Sequence, residues 1–317
     1  MFKVAILIVD NQTCLSPISL NEPEINPLPY LSQHTNTQFY LSKTNAIEFL
    51  KKHLHSFDVF LNLCDGAEGD DRPGIEVVRF LEQYKIPFTG AASSFYEPSR
   101  KEMKEAAIAC GVFVPNYQYI YDVNELNYLK LAFPIIVKHY NSYSSVGLTK
   151  NSIVHNFSAL KKQVKHMLNQ YKGVLLEEYI KGDEYTVLVE SINNHEAEVF
   201  YPAKIIFPPN EEFKHFALKW QQHATMKYIP CPDTSLAKKL MDCSYDIYKK
   251  MNGSGYARFD YRVNEKGDIY FIELNPNCSL FYPPNNASSA DEILSFHKND
   301  KQKFVNNLLS FAMQRFE

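Results

Sequence analysis

Two short segments near the C-terminal end, YARFDYRV and IYFIEL, constrain the fold of this chain more than any other part of it. Both have the composition of β-strands, and NEKGD between them is typical of a hairpin turn that contains glycine. Because side chains alternate along a strand, we expect Arg258 and Asp260 to share one face of the first strand. For the same reason Phe271, Glu273 and Asn275 share one face of the second. The hairpin therefore predicts that Asp260, Glu273 and Asn275 lie close together.

This cluster of two carboxylates and one amide oxygen has the chemistry of a site for a hard cation. Mg²⁺ binds such oxygen ligands, usually with phosphates and waters completing its octahedron. Arg258, on the same face, offers a planar fork to phosphoryl or carboxylate oxygens. The alternative is a solvated hairpin face with ordinary surface charges. Pro276, which ends the strand directly after the cluster, favours the metal site.

The composition argues against several classes of function. With 317 residues, 45% of them hydrophobic, the chain is long enough for two or three lobes with a large buried core. Its net charge of −3 comes without a dense Lys/Arg run, so neither nucleic acid nor a membrane surface is expected as a partner. The apolar run in MFKVAILIVD is too short for a signal peptide or a membrane span. The six cysteines lack C-x-x-C or zinc-ligand spacing, which predicts reduced thiols and a cytoplasmic location.

Short apolar runs alternate with segments of helical periodicity, which predicts an α/β fold built from lobes. Buried strands are expected at residues 4–9 and 59–63, each followed by a helix. Residues 1–97 are therefore predicted to form a small parallel-sheet lobe. Residues 98–182 form a second lobe, which opens with a helix, and residues 183–317 form a third.

The second and third lobes contain further predicted elements. The second has strands at residues 135–138 and 174–177. In the third, the Pro-rich segment 208–232 is predicted to be irregular, and long irregular segments are often active-site loops. A helix over residues 235–251 precedes the hairpin, and a helical tail begins at residue 291.

Five motifs occur in the order that is typical of one enzyme family. They are NLCDGAEGDD, SRKEMKEAAIACGVFVPNY, FPIIVKHYNSYSSVGLTK, LLEEYIKGDEYTVLV and ARFDYRVNEKGDIYFIELNPN. The last resembles the metal-binding segment of ATP-grasp enzymes, and together they are most similar to the D-alanine–D-alanine ligase family over residues 55–280. The resemblance implies the ATP-grasp fold, an N-terminal lobe followed by a central and a C-terminal lobe that hold ATP between them.

The resemblance also implies roles for the matching side chains. Those implied for the nucleotide are Lys101 and Lys138 at the phosphates, Ser144, Ser145 and Gly147 in the loop above them, Glu177, Glu178, Tyr179 and Ile180 at the adenine hinge, Glu184 at the ribose, Lys219 at the terminal phosphate, and Phe271. The implied metal ligands are Asp260, Glu273 and Asn275, for two Mg²⁺ ions that Mn²⁺ can replace. Tyr143 stands where the family usually has glycine, which leaves the mobility of the loop open.

The family's reaction is an ATP-dependent ligation. A substrate carboxylate attacks the γ-phosphoryl group, an amine then attacks the acyl phosphate, and ADP and phosphate are released. Arg258 is implied to stabilise the negative charge that develops, with Lys219 and Ser145 as further catalytic residues. Closure of residues 208–230 excludes water. The resemblance implies amino acids or small peptides as substrates, and a homodimer.

The resemblance is weaker where substrates bind. The stretch DNQTCLSPISLNEPEINP lacks the family's glycines, so Glu22 and Glu24 are candidates for the glutamate that holds an ammonium group. Ser279 stands where glycine is expected, and Cys278 and Tyr282 either line the acceptor pocket or serve only in packing. We therefore expect an altered substrate.

Two alternatives stay open at this point. The first is a D-alanine–D-alanine ligase proper, which the substrate-site departures weaken. The second is a catalytically silent ATP-binding sensor or scaffold. The complete set of phosphoryl-transfer residues argues against it, since binding alone does not need them.

Overall fold

The computed structural model describes residues 1–16, 18–222 and 225–316, and this part of the chain contains three β-sheets. The sheets follow one another in the sequence, and each contains strands from one continuous stretch of chain. The predicted segments 10–27, 208–232 and 291–317 include residues 17, 223, 224 and 317, which lie outside the described residues.

The first sheet is parallel, in the order β2–β1–β3. Its strands are β1 (Lys3–Val9), β2 (Thr35–Leu41) and β3 (Val59–Asn62), and its helices are α1 (Ala46–His53), α2 (Ile75–Gln83) and α3 (Ser93–Tyr96). The predicted strands β1 and β3 are confirmed, and both are almost entirely buried. The edge strand β2 was not predicted because its sequence, TNTQFYL, is largely polar and partly exposed.

The second sheet has the order β4–β7–β5–β6 and its strand pairs are antiparallel. Its strands are β4 (Tyr117–Ile120), β5 (Ile135–His139), β6 (Ile153–Val154) and β7 (Val174–Glu178), and α5 (Phe157–Leu168) packs against it. Helix α4 (Arg100–Ala109), which precedes β4 in the chain, packs instead in the core that contains residues of the first and third sheets. Helix α4 begins as predicted, because Ser99 and Glu102 form a reciprocal capping box. Gly111 follows its end with a left-handed backbone (φ 75°).

The third sheet has the order β11–β10–β8–β12–β13, with β9 paired to β8. Its strands are β8 (Asp183–Ser191), β9 (Ala197–Val199), β10 (Ala203–Ile206), β11 (Lys227–Pro230), β12 (Tyr256–Val263) and β13 (Ile269–Pro276). The helices in this part of the chain are α6 (Phe216–Trp220), α7 (Thr234–Lys250), α8 (Ser289–Ile293) and α9 (Asp300–Gln314). The segment predicted as irregular is therefore partly regular, since it contains α6 and β11.

The β12–β13 hairpin forms as predicted but contains a β-bulge. Asp260 pairs with Glu273, whereas the next residue, Tyr261, pairs with Phe271, so Ile272 is the extra residue. The bulge breaks the simple alternation of faces. Phe271 therefore packs in the core, with its ring centroid 5.7 Å from that of Tyr261. The prediction that Phe271 shares a face with Glu273 is wrong.

The first and third sheets share hydrophobic cores, whereas the second sheet has its own. One shared core contains Phe60 from β3 and Phe259 from β12, and a second contains Val4, Leu188 and helix α9. The second sheet packs against α5 in a separate cluster. The cleft between the second and third sheets is therefore bounded by two separately packed bodies. In the described residues, no helix is long and apolar enough to cross a membrane.

Candidate active site

A cleft of about 1210 Å³ lies between the second and third sheets. The predicted site residues that line it are Lys138, Ser145, Glu177, Glu178, Tyr179, Ile180, Glu184, Lys219, Arg258, Asp260 and Glu273. Asn275 and Ser144 line an adjoining cavity, which Lys219 and Arg258 also reach. The fold thus brings together residues that are up to about half the chain apart, and we name this space the nucleotide cleft.

The wall formed by the second sheet contains a buried group of ionised side chains. Glu177 Oε1 lies 2.5 Å from Lys104 Nζ, and Glu177 Oε2 lies 2.5 Å from Lys138 Nζ. All three side chains are buried. The two lysines, together with Arg100, hold the pKa of Glu177 well below its usual range despite the opposing effect of burial. Glu177 is therefore a carboxylate that fixes Lys138, which lines the cleft, and the buried Lys104 of helix α4.

Helix α4 contributes Arg100 to the cleft, not the predicted Lys101. The Lys101 side chain is 68% exposed and lies 3.8 Å from Glu105 on the outer face of the helix. Arg100 and Lys104, one turn apart, share the inward face with Met103. Arg100 Nη1 lies 2.9 Å from Glu273 Oε2, and its Nη2 donates to the carbonyl of Ser142 at 2.8 Å. Adjacent residues of a helix are rotated by about 100° around its axis. Lys101, the neighbour of the inward Arg100, therefore points away from the cleft, and its predicted location is wrong.

Residues 178–180, the predicted adenine hinge between the second and third sheets, are held by contacts on both sides. Glu178 accepts hydrogen bonds from Asn116 Nδ2 at 2.9 Å and from the backbone N–H of Ala132 at 2.8 Å. The Tyr179 ring lies 4.7 Å from the Arg262 guanidinium carbon, and its hydroxyl donates to the carbonyl of Glu212 at 3.1 Å. This segment is therefore a preformed edge of the cleft, suited to a flat ring.

The hairpin brings its predicted metal ligands together. Asp260 accepts from Arg258 through Nε (3.0 Å) and Nη2 (2.8 Å), from Thr186 Oγ1 (2.8 Å) and from Asn275 Nδ2 (3.4 Å). The carboxylate raises the pKa of Arg258, and Arg258 lowers that of Asp260 despite burial. Glu273 pairs directly opposite Asp260 across the hairpin.

This donor set fits Mg²⁺, which takes one or two protein carboxylates and completes its shell with phosphate oxygens and waters. The described residues contain no group of three or more His, Cys, Asp or Glu side chains placed to hold a metal ion. The metal role of Asp260, Glu273 and Asn275 stays a prediction.

Residues 213–220, which we name the cover, contain two lysines that line the cleft. Lys219 was predicted and Lys214 was not. Lys214 Nζ lies 3.3 Å from Glu184 Oε1 and 3.9 Å from Asp260 Oδ1. Lys219 Nζ lies 4.9 Å from the centre of the Trp220 ring. Burial and the nearby Arg258 and Lys214 lower the pKa of Lys219 to about 8. The motif FKHFALKW contains both lysines, but sequence spacing alone does not show that both point inward.

The loop after β5 is bonded to this cover. Ser145 Oγ donates to the carbonyl of Lys214 at 3.0 Å, and Trp220 Nε1 donates to the carbonyl of Ser144 at 3.1 Å. Ser144 and Ser145 both have left-handed backbones, with φ of 59° and 60°. Tyr143 donates from its hydroxyl to the carbonyl of Pro98 at 3.1 Å, which anchors the start of the loop. Loop and cover therefore form one structure above the cleft.

Gly147 was predicted to belong to this loop together with Ser144 and Ser145. It faces Met167 of helix α5 and Tyr171 instead of the cleft. Its backbone is left-handed (φ 76°), and an added Cβ would lie 3.1 Å from Met167 Cε and 3.4 Å from Tyr171 Cε2. Glycine at this position therefore permits the turn and the close packing. It does not line the nucleotide cleft in the described residues.

A second cavity, of about 1160 Å³, opens at the carboxyl ends of β1 and β3. The candidates Glu22, Glu24, Cys278 and Tyr282 all line it, as does Ser279. Tyr282 donates from its hydroxyl to Glu22 Oε1 at 2.6 Å. Ser279 and Tyr282 also line the nucleotide cleft, so the two spaces adjoin. We name this space the acidic cavity.

Comparisons of sequence identify a family to which this chain is similar. The family model described as "D-ala D-ala ligase C-terminus" matches residues 115–280, more than half of the chain. The D-alanine–D-alanine ligase of Aquifex aeolicus is 29% identical over 220 residues, which cover 68% of this chain and 70% of that protein.

Solved structures share the fold over the full length. The D-alanine–D-alanine ligase from Bacillus anthracis complexed with ATP has a TM-score of 0.68 at 17% identity, covering 100% of this chain and 99% of that one. The VanG D-Ala:D-Ser ligase from Enterococcus faecalis has a TM-score of 0.66 at 15% identity, covering 98% and 99%. At these identities the structures establish the fold alone. Together with the family model, they show that this chain has the ATP-grasp fold and belongs to the D-alanine–D-alanine ligase family.

Proposed function

We propose that the protein is an ATP-dependent carboxylate–amine ligase that joins two amino-acid-like substrates through an acyl phosphate. The observation that carries this proposal is the nucleotide cleft, where several cations surround two facing carboxylates, Asp260 and Glu273. Membership of a family of ATP-dependent carbon–nitrogen ligases supports it. A silent ATP-binding scaffold would not need this arrangement.

In this proposal the nucleotide lies across the hinge. The adenine contacts Glu178, Tyr179 and Ile180, which form one edge of the cleft. Glu184 accepts from the ribose hydroxyls. Lys138 holds the phosphates from the second sheet.

Three further cations complete the phosphate site. Arg100 reaches it from the start of α4, and Lys214 and Lys219 reach it from the cover, whose closure keeps water from the acyl phosphate. Mg²⁺ would be held by Asp260, Glu273 and Asn275. We expect two ions, which Mn²⁺ can replace. When bound, they would neutralise negative charge on the phosphates.

The reaction balances without a protein nucleophile. A substrate carboxylate oxygen attacks the γ-phosphorus, and the bond from that phosphorus to the β–γ bridging oxygen breaks, releasing ADP. The neutral amine nitrogen of the second substrate then attacks the acyl carbon, and the bond to the phosphate oxygen breaks to release inorganic phosphate. One proton passes from the nitrogen to the released phosphate or to water. Arg258, fixed by two hydrogen bonds to Asp260, orients toward the oxygens on which negative charge develops.

The substrates are proposed to differ from two D-alanines. The similar proteins act, by their names, on D-alanine with D-alanine or with D-serine. In this chain Ser279, which lines the acidic cavity, departs from the family motif. D-alanine–D-alanine ligation itself remains the second candidate, favoured by the family match, and an assay with D-alanine and ATP decides it.

We also propose how the chain divides into lobes. We assign residues 1–97, 98–182 and 183–317 to an N-terminal, a central and a C-terminal lobe, which gives each lobe one of the three sheets. A homodimer, a cytoplasmic location and the absence of nucleic-acid or membrane partners stay predictions. The free state of the six cysteines agrees with a reducing compartment.

The decisive test compares Asp260→Asn and Glu273→Gln with Glu265→Gln. Glu265 is an exposed residue in the turn of the same hairpin and serves as a control for the loss of a carboxylate. ADP and phosphate are measured over a panel of amino acids and dipeptides, with mass spectrometry of the product. We expect both cleft variants to lose turnover by about 100-fold or more while the control keeps it. Unchanged turnover in Asp260→Asn would contradict the proposed site.

A further inference from the structure

The acidic cavity has an unbalanced charge. Asp10, Glu22, Glu24 and Asp65 line it, and none of its described lining residues is Lys, Arg or His. Arg72 Nη1 lies 3.1 Å from Asp65 and 3.8 Å from Glu22, but Arg72 does not line this cavity. One buried guanidinium thus faces two of the four carboxylates, and it also pairs with Asp70.

The acid–base behaviour of Glu22 agrees with this excess of negative charge. Burial and the neighbouring Asp65 carboxylate raise the pKa of Glu22 to about 7, although Tyr282 and Arg72 act in the opposite direction. Carboxylates that lack enough nearby positive charge favour a cationic ligand.

A buried amide supplies a second, independent sign of a ligand. Asn62, at the end of β3, is only 3% exposed and lines the cavity. Its Oδ1 accepts from the backbone N–H of Cys64 at 3.2 Å, which fixes the orientation of the amide. Its Nδ2 has no hydrogen-bond partner among the described residues. A buried donor without an acceptor is costly, so a ligand oxygen is expected to accept from it.

These two observations specify different parts of one ligand. The carboxylates require positive charge, and Asn62 requires a carbonyl or carboxylate oxygen. A zwitterionic amino acid with an apolar side chain supplies the oxygen and one ammonium group, but its net charge is zero, so the net negative charge of the cavity is unchanged. An amino acid with a second ammonium group supplies the oxygen and also a net positive charge.

We propose that one of the two ligation substrates is a diamino acid, held in the acidic cavity by Asn62 at its carbonyl or carboxylate oxygen and by Glu22 and Glu24 at its ammonium groups. This inference rests on the proposed ligase function. The adjoining nucleotide cleft, reached through Ser279 and Tyr282, is where the bond forms.

Matched substrate pairs test the charge requirement directly. Ornithine is compared with norleucine, and 2,4-diaminobutyrate with norvaline, because each pair differs by an ammonium in place of a methyl group. Both enantiomers are used, in ADP-release assays with MgATP and a second amino acid, and in calorimetric binding without ATP. We expect at least about tenfold higher kcat/KM and tighter binding for a diamino acid.

The two measurements separate the two proposals. If a neutral partner binds and reacts as well as its diamino acid, the inference is overturned while the ligase function stands. If the diamino acids bind selectively but no combination releases ADP, the cavity assignment holds and the proposed ligase function fails. If no diamino acid binds more tightly than its neutral partner, the inference is overturned whatever the turnover.

Charge-neutralising variants locate the selectivity. Glu22→Gln keeps an acceptor for the Tyr282 hydroxyl, and Glu24 is exposed, so both variants are expected to fold. Glu48→Gln, on the exposed face of α1, is the control. The double variant Glu22→Gln/Glu24→Gln should lose about tenfold more in kcat/KM for the diamino acid than for its neutral partner, because the neutral partner has only one ammonium group to lose its carboxylate. An equal loss for both substrates, or none, would contradict the assignment.

Discussion

Arg100 joins the start of helix α4 to the hairpin of the third sheet, because its guanidinium lies 2.9 Å from the Glu273 carboxylate. The same side chain donates to the carbonyl of Ser142 in the loop above the cleft. It therefore links three elements at the place where the phosphates are proposed to bind. Glu273 keeps the pKa of the buried Arg100 above its usual value, so this cation stays charged throughout the working pH range.

We predict opposite outcomes for two neighbouring residues of α4. Arg100→Ala removes a buried cation and leaves Glu273 without this partner, so kcat/KM for ATP should fall about 100-fold, as expected for roughly 3 kcal/mol. Lys101→Ala removes an exposed side chain and should change kcat/KM by no more than about twofold. Steady-state ADP release measures both, and thermal unfolding checks that each variant is folded. Similar losses of kcat/KM in the two variants would contradict the placement of Arg100 on the inward face of α4 and of Lys101 on its outer face.

At the residue scale, the sequence allowed the hairpin cluster to be predicted because strand alternation and register bring Asp260, Glu273 and Asn275 together. Arg100 could also have been found, since it lies three residues before the buried Met103 and one turn before Lys104. Lys214 could not. Its inward direction depends on how the cover packs over Glu184 and Asp260, which are distant along the chain.

The bulge in strand β13 changes which side chain forms the wall of the nucleotide cleft. Ile272 lines the cleft beside Glu273, while Phe271 is fully buried against Phe259 and Tyr261. A bulge places two consecutive residues opposite one. Ile272 is therefore an additional residue on the cleft side of the strand, while Glu273 stays paired with Asp260. The bulge thus adds an apolar side chain to the face that carries Asp260 and Glu273.

The bulge predicts different effects for two adjacent substitutions. Phe271→Ala should lower the free energy of unfolding by about 3–5 kcal/mol, because it opens a cavity in a shared core. Ile272→Ala should leave stability within about 1 kcal/mol and raise the KM for ATP several-fold, because it removes apolar surface from the cleft. Chemical denaturation and steady-state kinetics measure the two effects. A large loss of stability in Ile272→Ala would contradict this placement.

Elements were predictable where periodicity is strong and not where it is weak. Buried strands such as β1 and the amphipathic helix α7 have clear apolar patterns, and they form as expected. Helix α6 and strand β11 lie in a polar, Pro-rich segment and depend on contacts with the loop after β5 and with β10. A bulge has no signature in a strand sequence of this kind, since it depends on the partner strand.

The whole molecule consists of two separately packed bodies that meet at a charged cleft. Helix α9, at the C-terminal end of the described chain, packs into the core between the first and third sheets, which ties the ends of the chain together. Such long-range packing could not be predicted from sequence periodicity. The buried Glu177 and Lys138 lie on the second sheet's side of the cleft, and Glu177 also pairs with Lys104 of helix α4.

The buried Glu177 predicts how stability depends on pH. Its pKa is depressed in the folded protein below the ordinary value of 4.5, so the unfolded chain binds more protons as pH falls. Its contribution is therefore present above about pH 4.5 and is lost progressively below it. Glu177→Gln should lower the free energy of unfolding by about 3–5 kcal/mol at pH 7, because two buried lysines lose their carboxylate.

The same variant should show a shallower loss of stability between pH 5 and pH 3 than the native chain. Urea unfolding at a series of pH values measures both quantities. The control is Glu105→Gln, since the Glu105 side chain is 59% exposed and pairs only at the surface of α4. Identical pH slopes in the native chain and in Glu177→Gln would contradict the assigned role.

The hydrogen bond from Trp220 to the carbonyl of Ser144 has a practical consequence, because the sequence contains a single tryptophan. That indole lies in the cover, beside the Lys219 ammonium and against the loop over the cleft. The emission wavelength and intensity of an indole depend on its solvent exposure and on nearby charge. The intrinsic fluorescence of the native chain is therefore a label-free optical report on this one contact, and stopped-flow recording can follow it during each catalytic cycle.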